Sequence, residues 1–271
     1  MAEEIYYADA TTIAELIRNK AISPVDVVKA YLDRIEAVNP NLNAIVALAE
    51  TSMDQAHEAE QAIMEGKVWG PLHGVPFTIK DCIDTVGIRS TRGSKLFEDY
   101  FPNRNATVVN RLKDAGGILL GKTNMPEFAL WWETDNLVYG RTENPWQYGT
   151  TPGGSSGGEA ASIAAGLSPF GIGSDLGGSI REPAHYCGIV GLKATHGRVP
   201  LTGHWPETLL RFMHVGPMAR SVRDIALTLP IISGPDGIDP YAMPVPIKQF
   251  EHLGTPLPKL KIGWCPEGPF A

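Results

Sequence analysis

This chain of 271 residues is short of cysteine, of basic runs and of long apolar stretches. Each shortage excludes something. Three widely spaced cysteines, Cys82, Cys187 and Cys265, form no C-x-x-C pair, and an odd number suits a reducing compartment better than a disulfide framework. The seven histidines show no H-E-x-x-H or related spacing, so no metal site is expected. With 23 Lys and Arg against 30 Asp and Glu, the net charge is −7 and no basic run offsets it, which argues against direct nucleic-acid binding. No apolar run approaches the length of a membrane span, so no membrane partner is expected. The opening stretch MAEEIYYADATT is acidic and without an apolar segment, so no signal peptide is expected and the expected location is the cytoplasm.

What remains is an ordinary globular composition, 43% hydrophobic and 20% charged, long enough for a substantial core. Ser23-Pro24 followed by VDVVKAYLDRIEAV reads as a helix capped by Ser23, with Pro24 at its first position. Its apolar stripe is expected to be Val25, Val28, Leu32 and Ile35, and Asn39-Pro40 is expected to end it. Further helices are expected over 53–64, over 105–115 and over VRDIALTLPII, the last opened by Ser221 and Asp224. Short apolar strands are expected over 75–79 with Lys80 at the end, and at ILLGKT, FGIGSD, GIVGLKAT and 261–264. Alternation of helices and apolar strands predicts an α/β fold with a largely parallel or mixed sheet. The 271 residues read as one domain, with a Pro/Gly-rich surface excursion over 230–258.

Two glycine-serine loops stand out. The first, GTTPGGSSGGEAASIAAG, runs directly into an alanine-rich helix. Such a loop can cradle phosphate, but the phosphate pattern needs Gly-Lys-Ser/Thr, whereas Gly157-Gly158 is followed by Glu159, and G-x-G-x-x-G is absent. The second, SDLGGSIREP, places Ser179 after a strand and before a short helix, the position of an exposed nucleophile beside backbone N–H groups. The elbow G-x-S-x-G is not matched, because residue 181 is Arg, and no histidine has a spacing that commits it as the base. Lys80 is the candidate instead. A lysine acting as base near neutral pH needs its ammonium destabilised by about 4 kcal/mol, which burial can supply. Cys82 has no base in the sequence and reads as a buried structural thiol, as does Cys187.

GVPFTIKD around Lys80, PGGSSGGEAASIAAG and GSDLGGSIREPAHYCGIVGLKATHGRVP resemble the three signature segments of the amidase signature family, in that family's order and spacing. NMPEF and NPWQYGTTPGG are also similar to family sequence, and the resemblance runs from the first helix to GPMARSVRD. Two departures are Ala194, where the family often has Pro, and Glu182, a charge beside the nucleophile loop. The resemblance implies a mixed central β-sheet flanked by helices on both faces. It also implies a Ser–cis-Ser–Lys unit without cofactor: Ser179 as nucleophile, Ser155 after a cis peptide as bridge, and Lys80 as base. The N–H groups of Leu176, Gly177, Gly178 and Ser179 are the implied oxyanion hole. Ser156 is expected to hydrogen-bond the loop and Asp175 with Arg181 to brace it. Met125, Trp131 and Arg181 are the expected substrate-pocket residues, with Trp132 beside Trp131.

The expected activity is hydrolysis of a small-molecule amide; the alternatives are the glutamine-amidase subunit of a tRNA-dependent amidotransferase and a non-catalytic truncated member. Family members continue past the apolar segment at 261–264, so an incomplete C-terminus is expected, with a homodimer that closes the sheet as the alternative.

Overall fold

The computed structural model describes residues 5–206, 211–244, 259 and 261. Six strands form one sheet: β1 (Ile45–Leu48), β2 (Pro76–Lys80), β3 (Ile118–Thr123), β4 (Phe170–Asp175), β5 (Val190–Gly191) and β6 (His214–Ala219). Their order is β1-β3-β2-β4-β6-β5. β2 runs parallel to both β3 and β4, whereas β1, β6 and β5 each join antiparallel, so the sheet is mixed, as expected. Every residue of β2, β3 and β4 is buried, which requires cover on both faces of the sheet centre. Among the described residues seven α-helices supply that cover: α1 (Ala10–Arg18), α2 (Pro24–Leu42), α3 (Ser52–Met64), α4 (Thr107–Asp114), α5 (Gly157–Ala164), α6 (Arg181–Cys187) and α7 (Val222–Ile232). Between the layers Phe77 of β2 stacks on Phe170 of β4 at 5.9 Å.

Local signals place several of these elements. Ser23 caps α2 by accepting from the Val25 N–H at 2.9 Å. The helix nevertheless passes Pro40 and ends at Leu42, two residues later than Asn39-Pro40 suggests. Pro40 sits in the last turn on the exposed side, where only one helical hydrogen bond is forfeited. Asn39 then shapes the exit, accepting from Ala44 N–H and Ile45 N–H at 2.9 Å, and Asn43 takes the left-handed cap. The buried stripe of α2 is Val27, Val28, Tyr31 and Ile35, so Val25 and Leu32 are only partly buried. The stripe rotates to admit Tyr31, whose hydroxyl donates to the Ile5 carbonyl at 3.2 Å.

Ser221 caps α7 through the Asp224 N–H at 3.2 Å, and α7 continues through Pro230 to Ile232. Asp224 turns away to accept from Ala10 N–H, Thr11 N–H and the Thr11 hydroxyl, holding the N-terminus of α1 from a distant part of the chain. Neither α1 nor β6 is legible as an element in the sequence; Gly216-Pro217 breaks the strand pattern of β6, which β4 pairing restores. The strand expected at GIVGLKAT is reduced to Val190–Gly191. Cys265 and the strand over 261–264, apart from Lys261, lie outside the described residues, as does 245–258 of the Pro/Gly-rich segment.

Candidate active site

Two parallel neighbours, β2 and β4, end side by side, and their C-terminal ends carry Lys80 and the loop leading to Ser179. Lys80 is completely buried. Its Nζ donates to Ser155 Oγ at 2.6 Å and to Ser174 Oγ at 3.1 Å. Burial, opposed by Cys82, Asp175 and Glu159, pulls the Lys80 ammonium from 10.5 down to about 8. The Gly154–Ser155 peptide is cis. A Cβ on Gly154 would lie 2.8 Å from the Trp131 carbonyl oxygen and 2.9 Å from the Glu133 nitrogen, so only glycine lets this loop lie against the 131–133 backbone.

Ser156 fastens the loop to the end of β4. Its N–H donates to the Ser179 carbonyl at 3.1 Å, and its hydroxyl exchanges hydrogen bonds of 3.2 Å with the Ser174 N–H and carbonyl. Ser155 and Ser179 are thereby held on adjoining backbone, and Ser179 remains 7% exposed.

Asp175 organises the second loop from below. Its carboxylate accepts from the N–H groups of Gly178 and Ile180 at 3.0 Å and from Arg181 N–H at 3.3 Å. Arg181 closes a bidentate pair on it, Nε at 3.0 Å and Nη2 at 2.9 Å. Burial opposes ionisation of Asp175, yet Arg181 and these N–H groups hold its carboxyl below the usual range. The arrangement engages the Gly178 N–H, which the family resemblance counts among four oxyanion donors. The N–H groups of Leu176, Gly177 and Ser179 have no acceptor among the described residues. Arg181 is committed to Asp175. Met125 is fully buried and lines neither cleft beside Ser179, whereas Trp131 lines both.

One cleft, of about 180 Å³, is walled by Leu130, Trp131, Trp132 and Leu176 and reaches Ser179. The other, of about 440 Å³, adjoins it through Trp131, Trp132 and Gly177 and is otherwise bounded by Glu133, Thr151, Glu182 and Tyr186. Among the described residues no group of three or more His, Cys, Asp or Glu is placed to hold a metal ion.

Sequence reasoning misses two neighbours of Lys80. Ser174 is one; as the second-last residue of β4 it gives no signal beyond its place in GSD. Glu159 is the other. Rather than facing the loop, it turns inward, fully buried, and accepts from the hydroxyls of Thr78 on β2 and Thr123 on β3. Burial pushes its carboxyl up to about 7 against those hydrogen bonds. Cys82 does have a histidine beside it, His204 Nε2 at 3.4 Å. Burial raises the thiol and drops the imidazole to about 3, so the pair is neutral and stays without a thiolate.

The family model described as Amidase matches residues 26–269. The chain is 46% identical over 266 residues to a glutamyl-tRNA(Gln) amidotransferase subunit of Carboxydothermus hydrogenoformans, covering 96% of this chain and 54% of that protein. It is 41% identical over 271 residues to an acylamidase of Rhodococcus erythropolis, covering 97% and 56%. Among solved structures, a bacterial aryl acylamidase of the amidase signature family superposes with a TM-score of 0.85 at 35% identity, over 91% of this chain and 51% of that one. The peptide amidase of Stenotrophomonas maltophilia gives 0.83 at 35%, over 89% and 51%. The chain thus spans about half the length of the curated relatives it matches. Among the described residues no helix is long and apolar enough to cross a membrane. Its signature segments, its mixed sheet and these likenesses agree: the chain belongs to the amidase signature family.

Proposed function

We propose that the protein hydrolyses the C–N bond of a carboxylic amide through an acyl-enzyme on Ser179. The observation that carries this reading is the 2.6 Å contact between a wholly buried Lys80 and Ser155, on the loop that Ser156 ties to Ser179. With Lys80 neutral, its Nζ lone pair accepts the Ser155 proton while Ser155 Oγ takes the proton of Ser179. Ser179 Oγ attacks the carbonyl carbon, and the resulting oxyanion is received by the free N–H groups of Leu176, Gly177 and Ser179. As the C–N bond breaks, Ser155 passes a proton to the leaving nitrogen and regains one from Lys80. Water then cleaves the Ser179 ester by the same relay and releases the acid. No step uses a cofactor.

A fluorophosphonate tests activation of the nucleophile without knowledge of the substrate. Mass mapping is expected to place the single adduct on Ser179; an adduct on Ser155 or Cys82 overturns the assignment. Ser179→Ala is expected to abolish labelling. Ser155→Ala is expected to slow it by about 100-fold or more, yet less than Ser179→Ala, because water can partly replace a hydroxyl relay.

The name of the relative from Carboxydothermus hydrogenoformans supports a second reading, in which the amide is glutamine and ammonia goes to a partner protein. Glutaminase activity together with co-purification of a partner decides for it. Hydrolysis of simple acyl amides by the isolated chain decides for a free-standing amidase.

A further inference from the structure

The larger cleft, which adjoins the one reaching Ser179, is lined by aromatic and acidic side chains. Trp131, Trp132 and Tyr186 leave 65%, 59% and 46% of their surface in solvent around it. Two carboxylates, Glu133 and Glu182, face the same space, and neither has an ion-pair partner among the described residues. Arg181, next to Glu182 in sequence, is taken by Asp175. Burial pushes the Glu182 carboxyl up, and Glu133 adds to this, against the Gly154 hydrogen bond and His185. Glu182 spends one oxygen, Oε2, on the Gly154 N–H at 2.8 Å.

An anionic ligand in this cleft meets two negative charges. A neutral apolar ligand strips water from the half-buried Glu182 and offers it nothing in exchange. A cation satisfies both features, pairing with the carboxylates and lying on aromatic faces.

From this lining we infer that the amide substrate carries a cationic group, an alkylammonium or guanidinium, seated between Glu133, Glu182, Trp131, Trp132 and Tyr186. The inference rests on the proposed amidase reading for its word substrate, but the cleft's preference for cations stands apart from turnover. The cation also touches the residue that holds the Gly154 N–H, so its binding is linked to the loop carrying Ser155.

The test uses the chain and two small probes, n-hexylammonium and 1-hexanol, read by tryptophan fluorescence with Trp131→Phe assigning the signal. Hexylammonium is expected to bind at least tenfold more tightly than hexanol, and the advantage to shrink with added salt. In Glu133→Gln and Glu182→Gln the ratio is expected to fall to about threefold or less. Glu133 is exposed, so its variant folds even if loss of the Glu182 charge disturbs the Gly154 loop. Equal affinity for the two probes, or a ratio unchanged in Glu133→Gln, overturns the inference.

A kinetic arm compares kcat/KM for 5-aminopentanoyl and hexanoyl anilides, and for amides with the ammonium on the leaving amine. Turnover with no cationic preference in either series, and equal probe affinities, sinks the inference and leaves the amidase reading standing. Cation binding with no turnover of any amide does the reverse.

Discussion

Replacing Lys80 with alanine is expected to lower kcat/KM for amide hydrolysis by about 10,000-fold, the upper range for loss of a general base. The expectation follows from position and environment together. Lys80 is wholly enclosed, its amine reaches both Ser155 and Ser174, and burial brings it down to about 8. Below that pH the amine is protonated and cannot accept the relay proton; above it the amine is free. Wild-type kcat/KM is therefore expected to rise with pH through about 8 and then level off. In Lys80→Ala the residual rate is expected to lose that inflection. A variant that keeps near-full activity, or an unaltered inflection, removes Lys80 from the role of base. Ser174→Ala separates positioning from chemistry: its rate is expected to fall modestly while the inflection moves, because Lys80 loses one of two acceptors.

The second large effect concerns stability. Glu159→Ala is expected to cost about 3 kcal/mol, since two buried hydroxyls lose their acceptor and a cavity opens under the sheet. For a chain of this size that corresponds to a fall in Tm of roughly 6–12 °C. The hydroxyls are those of Thr78 and Thr123 on adjacent strands, and Thr78 lies two residues before Lys80, so activity is expected to fall as well. Glu159→Gln keeps an acceptor and is expected to be milder.

Glu159 also adds a pH signature. Its carboxyl rises from 4.5 to about 7 on folding, so between those values the native state holds a proton that the unfolded chain has released. That stabilising contribution is full below 4.5 and is lost as pH rises to about 7. Lys80 acts in a separate window. Its depressed value lets the unfolded chain hold the extra proton between about 8 and 10.5, so stability recovers there with rising pH. Urea midpoints of wild type and Glu159→Gln at pH 5 and pH 7.5 separate the first effect. Equal pH dependence in the two proteins shows that Glu159 does not titrate as its burial requires.

The sequence by itself determined the local parts of this protein. The Ser23 and Ser221 caps, the apolar runs of β2, β3 and β4, and the glycine-serine loops on either side of β4 depend on residues within a few positions, so their pattern is readable. The family resemblance added the association of Lys80 with Ser155, which lie 75 residues apart and meet only across neighbouring elements.

Other features belonged to the tertiary structure. Pro40 stays inside α2 because the far end of that helix is fixed by Asn39 and the start of β1, which propensity does not register. Strand β6 exists because β4 offers it six paired positions. Glu159 points inward because two threonine hydroxyls await it across β2 and β3, although its neighbours in sequence suggest a loop-facing charge. The Gly178 N–H is taken up by the Asp175 carboxylate beneath it, and Glu182 reaches Gly154 from α6. Charge and hydrogen-bond partners of buried groups are set by distance, and distance between remote residues is fixed only when the sheet closes.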